Sequence, residues 1–401
     1  MTTKSWRSPF IVLIAGCLIS LIAFGIRSSF GLFLEPMTTV NDWSRETFGL
    51  AMALQNLLWG IGLPIAGAIA DKHGTVRVMI AGAIMYALGV WGMAESESGF
   101  MLQMTAGILT GLGVAFSAFT LAMAAMVRVV GPEKRSFILG LGTAAGSLGQ
   151  VIFSPITQGF ISAYGWHSAL LILASISLLL IPMAMCLPGS SQGNEAADKD
   201  NQSLNEAVKE ALTHRGYILL TTGFFVCGFH VAFIAVHFPA YVQDLGLDPI
   251  IGAYSIALIG LTNIVGSFGS GFAGQKWSKK YGLSFIYFAR AILILALIVS
   301  PKTPLTIMIF AATMGILWLS TVPLTTGIVA QVFGVKYMGT LFGIVFLSHQ
   351  IGSFMGVWLG GRIYDQTGSY DGMWWAGLIV GLLAGLIHLP IDEKPLQRLK
   401  A

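Results

Sequence analysis

Twelve apolar stretches, each close to the length needed to cross a bilayer, leave this 401-residue chain little choice of architecture. They run at 9–34, 46–70, 76–94, 99–127, 136–163, 166–187, 216–242, 250–274, 283–300, 304–333, 339–363 and 371–390, bounded by charge, Gly or Pro. A hydrocarbon layer about 30 Å thick takes about 20 residues of helix. An open strand would leave its backbone N–H and C=O groups unpaired in lipid, so every stretch is predicted to be a helix. Composition agrees: 55% of residues are hydrophobic and 10% charged, against about 25% charged in a soluble domain. The 49 glycines suit helices that approach closely within a membrane. The basic start "MTTKSWRSPF" leads into a stretch too long for a signal-peptide core, and is expected to be a retained first helix.

The cations fix an expected orientation. With the N-terminus inside, the inner loops and both termini hold 17 of the 22 Lys and Arg, and the outer side holds Arg45, Lys302 and Arg362. That bias follows the positive-inside rule and places both termini in the cytoplasm. The net charge of +4 is explained by topology and makes no case for a nucleic-acid partner. Cys17, Cys186 and Cys227 lie in or beside apolar runs, so no disulfide framework is read. No cofactor, metal cluster or nucleophile–base constellation is found, and no enzyme is expected.

The polar stretch 188–215 lies in the middle of the span count. Within it "SLNEAVKEAL" is predicted to be a short helix capped by Ser203, with Glu206 three residues on. The expected domains are therefore an N-terminal six-helix bundle (1–187), a cytoplasmic linker (188–215) and a C-terminal six-helix bundle (216–401). An internal repeat supports the division. "FGIRSSFGLFLEP" (24–36) aligns with "CGFHVAFIAVHFP" (227–239) at an offset of 203, matching Gly25 to Gly228, Arg27 to His230, Phe30 to Phe233 and Pro36 to Pro239. At an offset of 204, Gly67 meets Gly271 and Lys72 meets Lys276. Two parallel repeats place a substrate site near the midplane between them.

The stretch "GAIADKHGTVR" (67–77) resembles the signature motif of the major facilitator superfamily, with Gly67, Asp71, Lys72 and Gly74 in register and the following basic residue delayed to Arg77. A degenerate copy, "GQKWSKKYG", follows the eighth span, where the family keeps its second copy. The resemblance covers the whole chain and implies an all-α membrane protein of twelve transmembrane helices in two pseudo-symmetric six-helix bundles. It also implies that Gly67, Asp71, Lys72, Gly74 and Arg77 form a cytoplasmic latch. The physics suits that role: Asp71 at a helix end faces helix N-termini, Lys72 and Arg77 stay with anionic lipid, and Gly74 permits a tight turn. The alternative is an ordinary basic inner loop.

Within the superfamily, "RSSFGLFLE" (27–35) resembles the first helix of monocarboxylate transporters and their oxalate/formate relatives, with Arg27 at the basic substrate-facing position. Elsewhere the pattern departs. The eighth span has Asn263 and Ser267 where the animal members carry Asp and Arg, and the eleventh has His349 and Gln350 near the oxalate carrier's Lys. Loss of the second cation implies a singly charged substrate.

A cation inside a span costs about 2.5–3.5 kcal/mol on insertion scales, and guanidinium pairs well with carboxylate. Arg27 is therefore expected to bind an anionic substrate; snorkelling to the interface is the alternative. Asn263, His349 and Gln350 are candidates to complete the site, with Phe30 and Trp318 shaping it. Each polar one is also explained by a helix–helix hydrogen bond, as are Asn56 and Gln150. His230 and His237 are proton-coupling candidates, because histidine titrates near neutral pH. Arg290 is expected to snorkel to the inner leaflet, and Gly352, Gly356 and Gly360 to form a close-packing face.

The expected function is secondary transport of a small organic monoanion by alternating access, with a co-transported proton as one form of coupling. The expected setting is the bilayer of a bacterial inner membrane, with a monomer sufficient. Export of drugs or other metabolites is the first alternative. The absence of a mid-membrane acid, and Gly107 at the exporters' arginine position, count against it. A non-transporting receptor is the second.

Overall fold

The computed structural model describes residues 8–117, 119–130, 135–188 and 202–399. The expectations for Lys4, Arg7, Lys134, Lys199 and Lys400, and for the start of the linker, lie outside these residues. Among the described residues eleven helical segments are long and apolar enough to cross a membrane, and one of them, Gly140–Met185, has 46 residues. At about 1.5 Å per residue that is twice the hydrocarbon thickness. Gly165, at φ 78° and ψ 162°, turns the chain within it, so it makes two passes and the bundle has twelve spans. The chain is an all-α membrane protein.

Caps and breaks follow local chemistry. Pro9 opens the first span behind Ser8, whose hydroxyl accepts the Ile11 N–H at 3.4 Å. The α-helical part ends at Ser28, passes through a tight turn at Phe30–Phe33, and resumes at Leu34–Asn41. The Ser28 and Ser29 hydroxyls donate to the carbonyls of Gly25 and Ile26, both at 2.8 Å. Such bonds offer the backbone an alternative to the helix ladder, and the break falls one residue beyond Arg27. The second span, Arg45–His73, ends at Gly74 with φ 93°, a conformation that favours glycine. The fourth span carries a π-helical stretch at Gln103–Leu109, where the sequence showed only Gly107. The linker helix forms at Leu204–Thr213 with the expected box: Glu206 N–H donates to the Ser203 hydroxyl and Ser203 N–H to the Glu206 carboxylate. Those bonds hold the Glu206 carboxyl below its usual range.

The two halves pack alike. A Cβ on Gly25, in the first span, would lie 2.8 Å from the Gly149 carbonyl oxygen of the fifth. A Cβ on Gly352, in the eleventh span (Met338–Thr367), would lie 2.8 Å from the Phe225 carbonyl carbon of the seventh (Arg215–Asp244), and one on Gly228 of the seventh 2.7 Å from the His349 carbonyl carbon of the eleventh. Gly25 and Gly228 differ by 203 positions, and so do Gly149 and Gly352; the offset seen in the sequence recurs where no motif had been noticed. Gly356 and Gly360 continue the face against Phe229 and His237.

At one end of the bundle, charges tie the halves together. Arg45 donates to both Asp244 oxygens at 2.6 Å and lies 3.7 Å from the Tyr364 ring centroid. The Asp365 carboxylate accepts the backbone N–H groups of Arg45 and Glu46 at 2.9 and 2.7 Å, and Trp358 donates to Glu46. At the opposite end, Lys72 and Arg77 are exposed; the Asp71 side chain lies outside the described atoms. In the degenerate motif copy, Lys279 donates to Gln331 at 2.7 Å and the Lys280 N–H to Glu393 at 2.6 Å.

Candidate substrate site

Midway along the bundle both halves contribute to a small cavity of about 40 Å³, room for a few waters. Arg27, Phe30, Gln55, Asn56 and Gln150 come to it from the first half, and Ile256 and Trp318 from the second. Close backbone approach holds the halves here: a Cβ on Gly31 would lie 2.8 Å from the Val236 carbonyl oxygen of the seventh span. Gln150 fastens the fifth span to the eighth (Pro249–Lys276) by donating to the Ile256 carbonyl at 2.7 Å.

Arg27 is half-buried in the last turn before the break in the first span. Its Nη2 donates to the Asn56 Oδ1, and its Cζ lies 4.5 Å from the Trp59 ring centroid. Asn56 is aimed by its own amide, which donates to the Met52 carbonyl at 2.8 Å. Among the described residues no carboxylate pairs with Arg27. Its Nε–H has no acceptor there, and neither have the Trp59 indole N–H and the Gln350 amide nitrogen. Trp59 stands on the second span over Arg27, and Gln350 packs on Gly60 of the same span. Buried donors ordinarily find partners, so the unmatched donors of Arg27 and Trp59, in contact with each other, mark a region short of acceptors.

The other sequence candidates are placed apart from the cavity lining. His349 donates toward the Gln350 Oε1 at 3.1 Å and stacks on Phe346. Asn263 spends its amide on structure: its nitrogen donates to Ser147 at 3.0 Å, and its oxygen accepts from Ser267 and from the Leu319 N–H, both at 3.0 Å. His237 uses both ring nitrogens, on the Val357 carbonyl at 2.8 Å and the Tyr370 hydroxyl at 3.0 Å. His230 faces the twelfth span (Asp371–His388), with Nε2 2.7 Å from the Gly377 carbonyl.

Arg290 corrects an expectation. It does not reach for the membrane surface but is fully buried, donating to the carbonyls of Leu317 and Trp318. The snorkelling argument treated it as a lone side chain on a lipid-facing helix; a broken neighbouring helix offered carbonyls nearer than the headgroups. Sequence reasoning also missed Gln55 and Trp59. Gln55 donates to the Ala106 carbonyl at 3.0 Å, inside the π-helical stretch. A polar Gln–Asn pair in mid-span was its signal; Trp59 had none beyond its spacing from Asn56.

A twelve-helix bundle with a cavity between its halves suits a transporter, and comparison with known proteins agrees. The model of the Major Facilitator Superfamily matches residues 16–357. The chain belongs to the Major Facilitator Superfamily. It is 25% identical to monocarboxylate transporter 13 of Rattus norvegicus, over 95% of this chain and 89% of the rat protein. It is 24% identical to monocarboxylate transporter 11 of Homo sapiens, over 90% of this chain and 78% of the human one. Among solved structures, a point mutant of the nucleoside transporter NupG superposes with a TM-score of 0.75 at 13% identity, covering 95% of this chain and 99% of that one, a likeness of fold. Fold and relatives together indicate a membrane transporter of a small molecule rather than an enzyme.

Proposed function

We propose that the protein moves a small organic monoanion, a monocarboxylate or a close chemical relative, across its membrane by alternating access. The observation that carries this reading is the Arg27 guanidinium at the shared cavity, without a carboxylate among the described residues, its Nε–H unmatched, and stacked on Trp59, whose indole N–H is also without a partner there. A carboxylate supplies the missing acceptors, two of them in the plane that guanidinium favours. Phe30 and Trp318 form the apolar wall for the rest of the molecule. The second buried cation, Arg290, lies off the cavity lining and donates to backbone carbonyls, which supports one negative charge rather than two. The names of the relatives support the same substrate class.

In this reading the bundles 1–187 and 216–401 rock about the cavity, joined by the linker 188–215, and a single chain suffices. The Arg45 end faces outward and the Gly74 end, with the Gly67–Arg77 latch, faces the cytoplasm of a bacterial inner membrane. A proton travelling with the carboxylate makes the transported pair neutral, so that no net charge crosses the membrane potential. Of the two candidate histidines, His230 is the better acceptor, since its Nδ1 has no partner among the described residues.

The test is uptake by the purified protein in liposomes. A panel of labelled small carboxylates is offered with and without an inward proton gradient, to wild type and to Arg27→Ala. Saturable uptake of an acid, lost in the variant while its melting temperature holds, is expected. Uptake unchanged by the substitution, or no carboxylate uptake at all, overturns the reading.

A further inference from the structure

The tenth span is not continuous. Helix runs over Pro304–Leu317, stops, and starts again at Thr321–Phe333. A break inside a membrane frees backbone groups that lipid cannot satisfy, so each must be accounted for. The freed acceptors are the carbonyls at the end of the first piece. Arg290, from the ninth span (Lys279–Val299), takes them: its Nη2 donates to Leu317 at 2.6 Å and also to Trp318, and its Nε donates to Leu317 at 3.2 Å. A cation at a helix C-terminus also opposes the negative end of the helix dipole. The freed donor is the Leu319 N–H, and Asn263 of the eighth span accepts it at 3.0 Å. Asn263 is held in turn by Ser147 of the first half. Close packing makes the grip short: a Cβ on Gly266 would meet Ile316 Cα at 2.8 Å.

The residue between these two grips is Trp318. It is 2% exposed and lines the same cavity as Arg27. We propose that Arg290 and Asn263 are positioning residues that hold the broken tenth span and thereby set the Trp318 indole in the wall of the cavity. Neither lines the cavity itself. Both act through the backbone of residues 317–319, one from within the second half and the other from a link to the first. That Trp318 meets substrate rests on the function proposed above; that its position depends on Arg290 and Asn263 does not.

The experiment reads the indole directly. Full-length protein carrying 5-fluorotryptophan in lipid nanodiscs gives fluorine resonances from its ten tryptophans, and Trp318→Phe assigns the line of interest. In Arg290→Met and in Asn263→Ala, the Trp318 line is expected to shift or split, while the lines of the exposed Trp91 and Trp277 hold their positions. Arg290→Lys, which keeps a cationic donor, is expected to fall between wild type and Arg290→Met. For the substrate that the uptake panel identifies, KM should rise about tenfold, the factor for one charge-assisted hydrogen bond, with the maximal rate much less affected. A Trp318 line unmoved in folded Arg290→Met and Asn263→Ala overturns the proposal. So does a change of all ten lines together, which marks a general packing role. If Arg290→Met does not fold, Asn263→Ala decides alone. Failure of the carboxylate reading would appear in Arg27→Ala uptake and would leave the fluorine result standing.

Discussion

Arg45 grips both carboxylate oxygens of Asp244, and the pair joins the second span to the seventh across the line where the two halves meet. Tyr370 reinforces it by accepting from Arg45 at 3.0 Å, and Asp365 closes the start of the second span from the eleventh. On the alternating-access reading proposed above, this end must part. The grip would then weight the equilibrium toward the conformation described here, in which the Arg45 end is tied.

Asp244→Asn should shift that equilibrium toward the other state. A bidentate, partly buried pair is worth more than the ~0–1 kcal/mol of an exposed one, so a several-fold population change is expected. Cysteine probes placed along the second and eleventh spans should gain reactivity from the Arg45 end in the variant. Reactivity equal to wild type would show that the pair does not restrain opening.

Arg27→Lys separates charge from geometry. Lysine keeps the cation but loses the planar fork that binds two carboxylate oxygens and also stacks on Trp59. Weakened affinity with residual transport is expected, against full loss in Arg27→Ala. A lysine variant as good as wild type would reduce the site to a point charge.

Gly352→Leu should destabilise the second half severely. Its Cβ would fall against the Phe225 backbone, which has no side-chain rotamer to yield. Overpacking costs typically about 1–3 kcal/mol where side chains can move, and more is expected here. Thermal unfolding in detergent reads it, with Gly159→Leu, whose added Cβ meets nothing within 4 Å, as the tolerated control.

Gln55→Leu removes a side-chain donor to the Ala106 carbonyl in the π-helical stretch. Loss of one such hydrogen bond costs about 0.5–1.5 kcal/mol. A lowered melting temperature is expected, together with faster amide exchange over Gln103–Leu109. Unchanged exchange would mean that the stretch is held by Thr110, whose hydroxyl donates to the Thr105 carbonyl at 2.9 Å.

Twelve spans, the two-bundle plan and the family were all legible in the sequence, because lipid permits few answers. Hydrophobic length counts the crossings, and a repeat offset of 203 relates Gly25 and Gly149, whose backbones approach, to Gly228 and Gly352, each of which packs on the backbone of the other's helix, at His349 and Phe225. Arg27 was legible as a cation out of place. What the sequence could not order was which polar residues meet. Asn263 and Arg290 are far apart in the chain from Leu317–Leu319, and the break that recruits them has no glycine or proline at its centre to announce it. Trp59 reads as one more apolar residue until Arg27 is placed over its ring. Periodicity reports burial along one helix; pairing depends on rotation and depth between helices. The sequence by itself determined the number of crossings and the chemistry available inside them. Only the tertiary structure decided which of those groups are spent on one another and which, like the Arg27 Nε–H, are left without a protein acceptor among the described residues, because buried polar groups bond to whatever packing brings within about 3 Å.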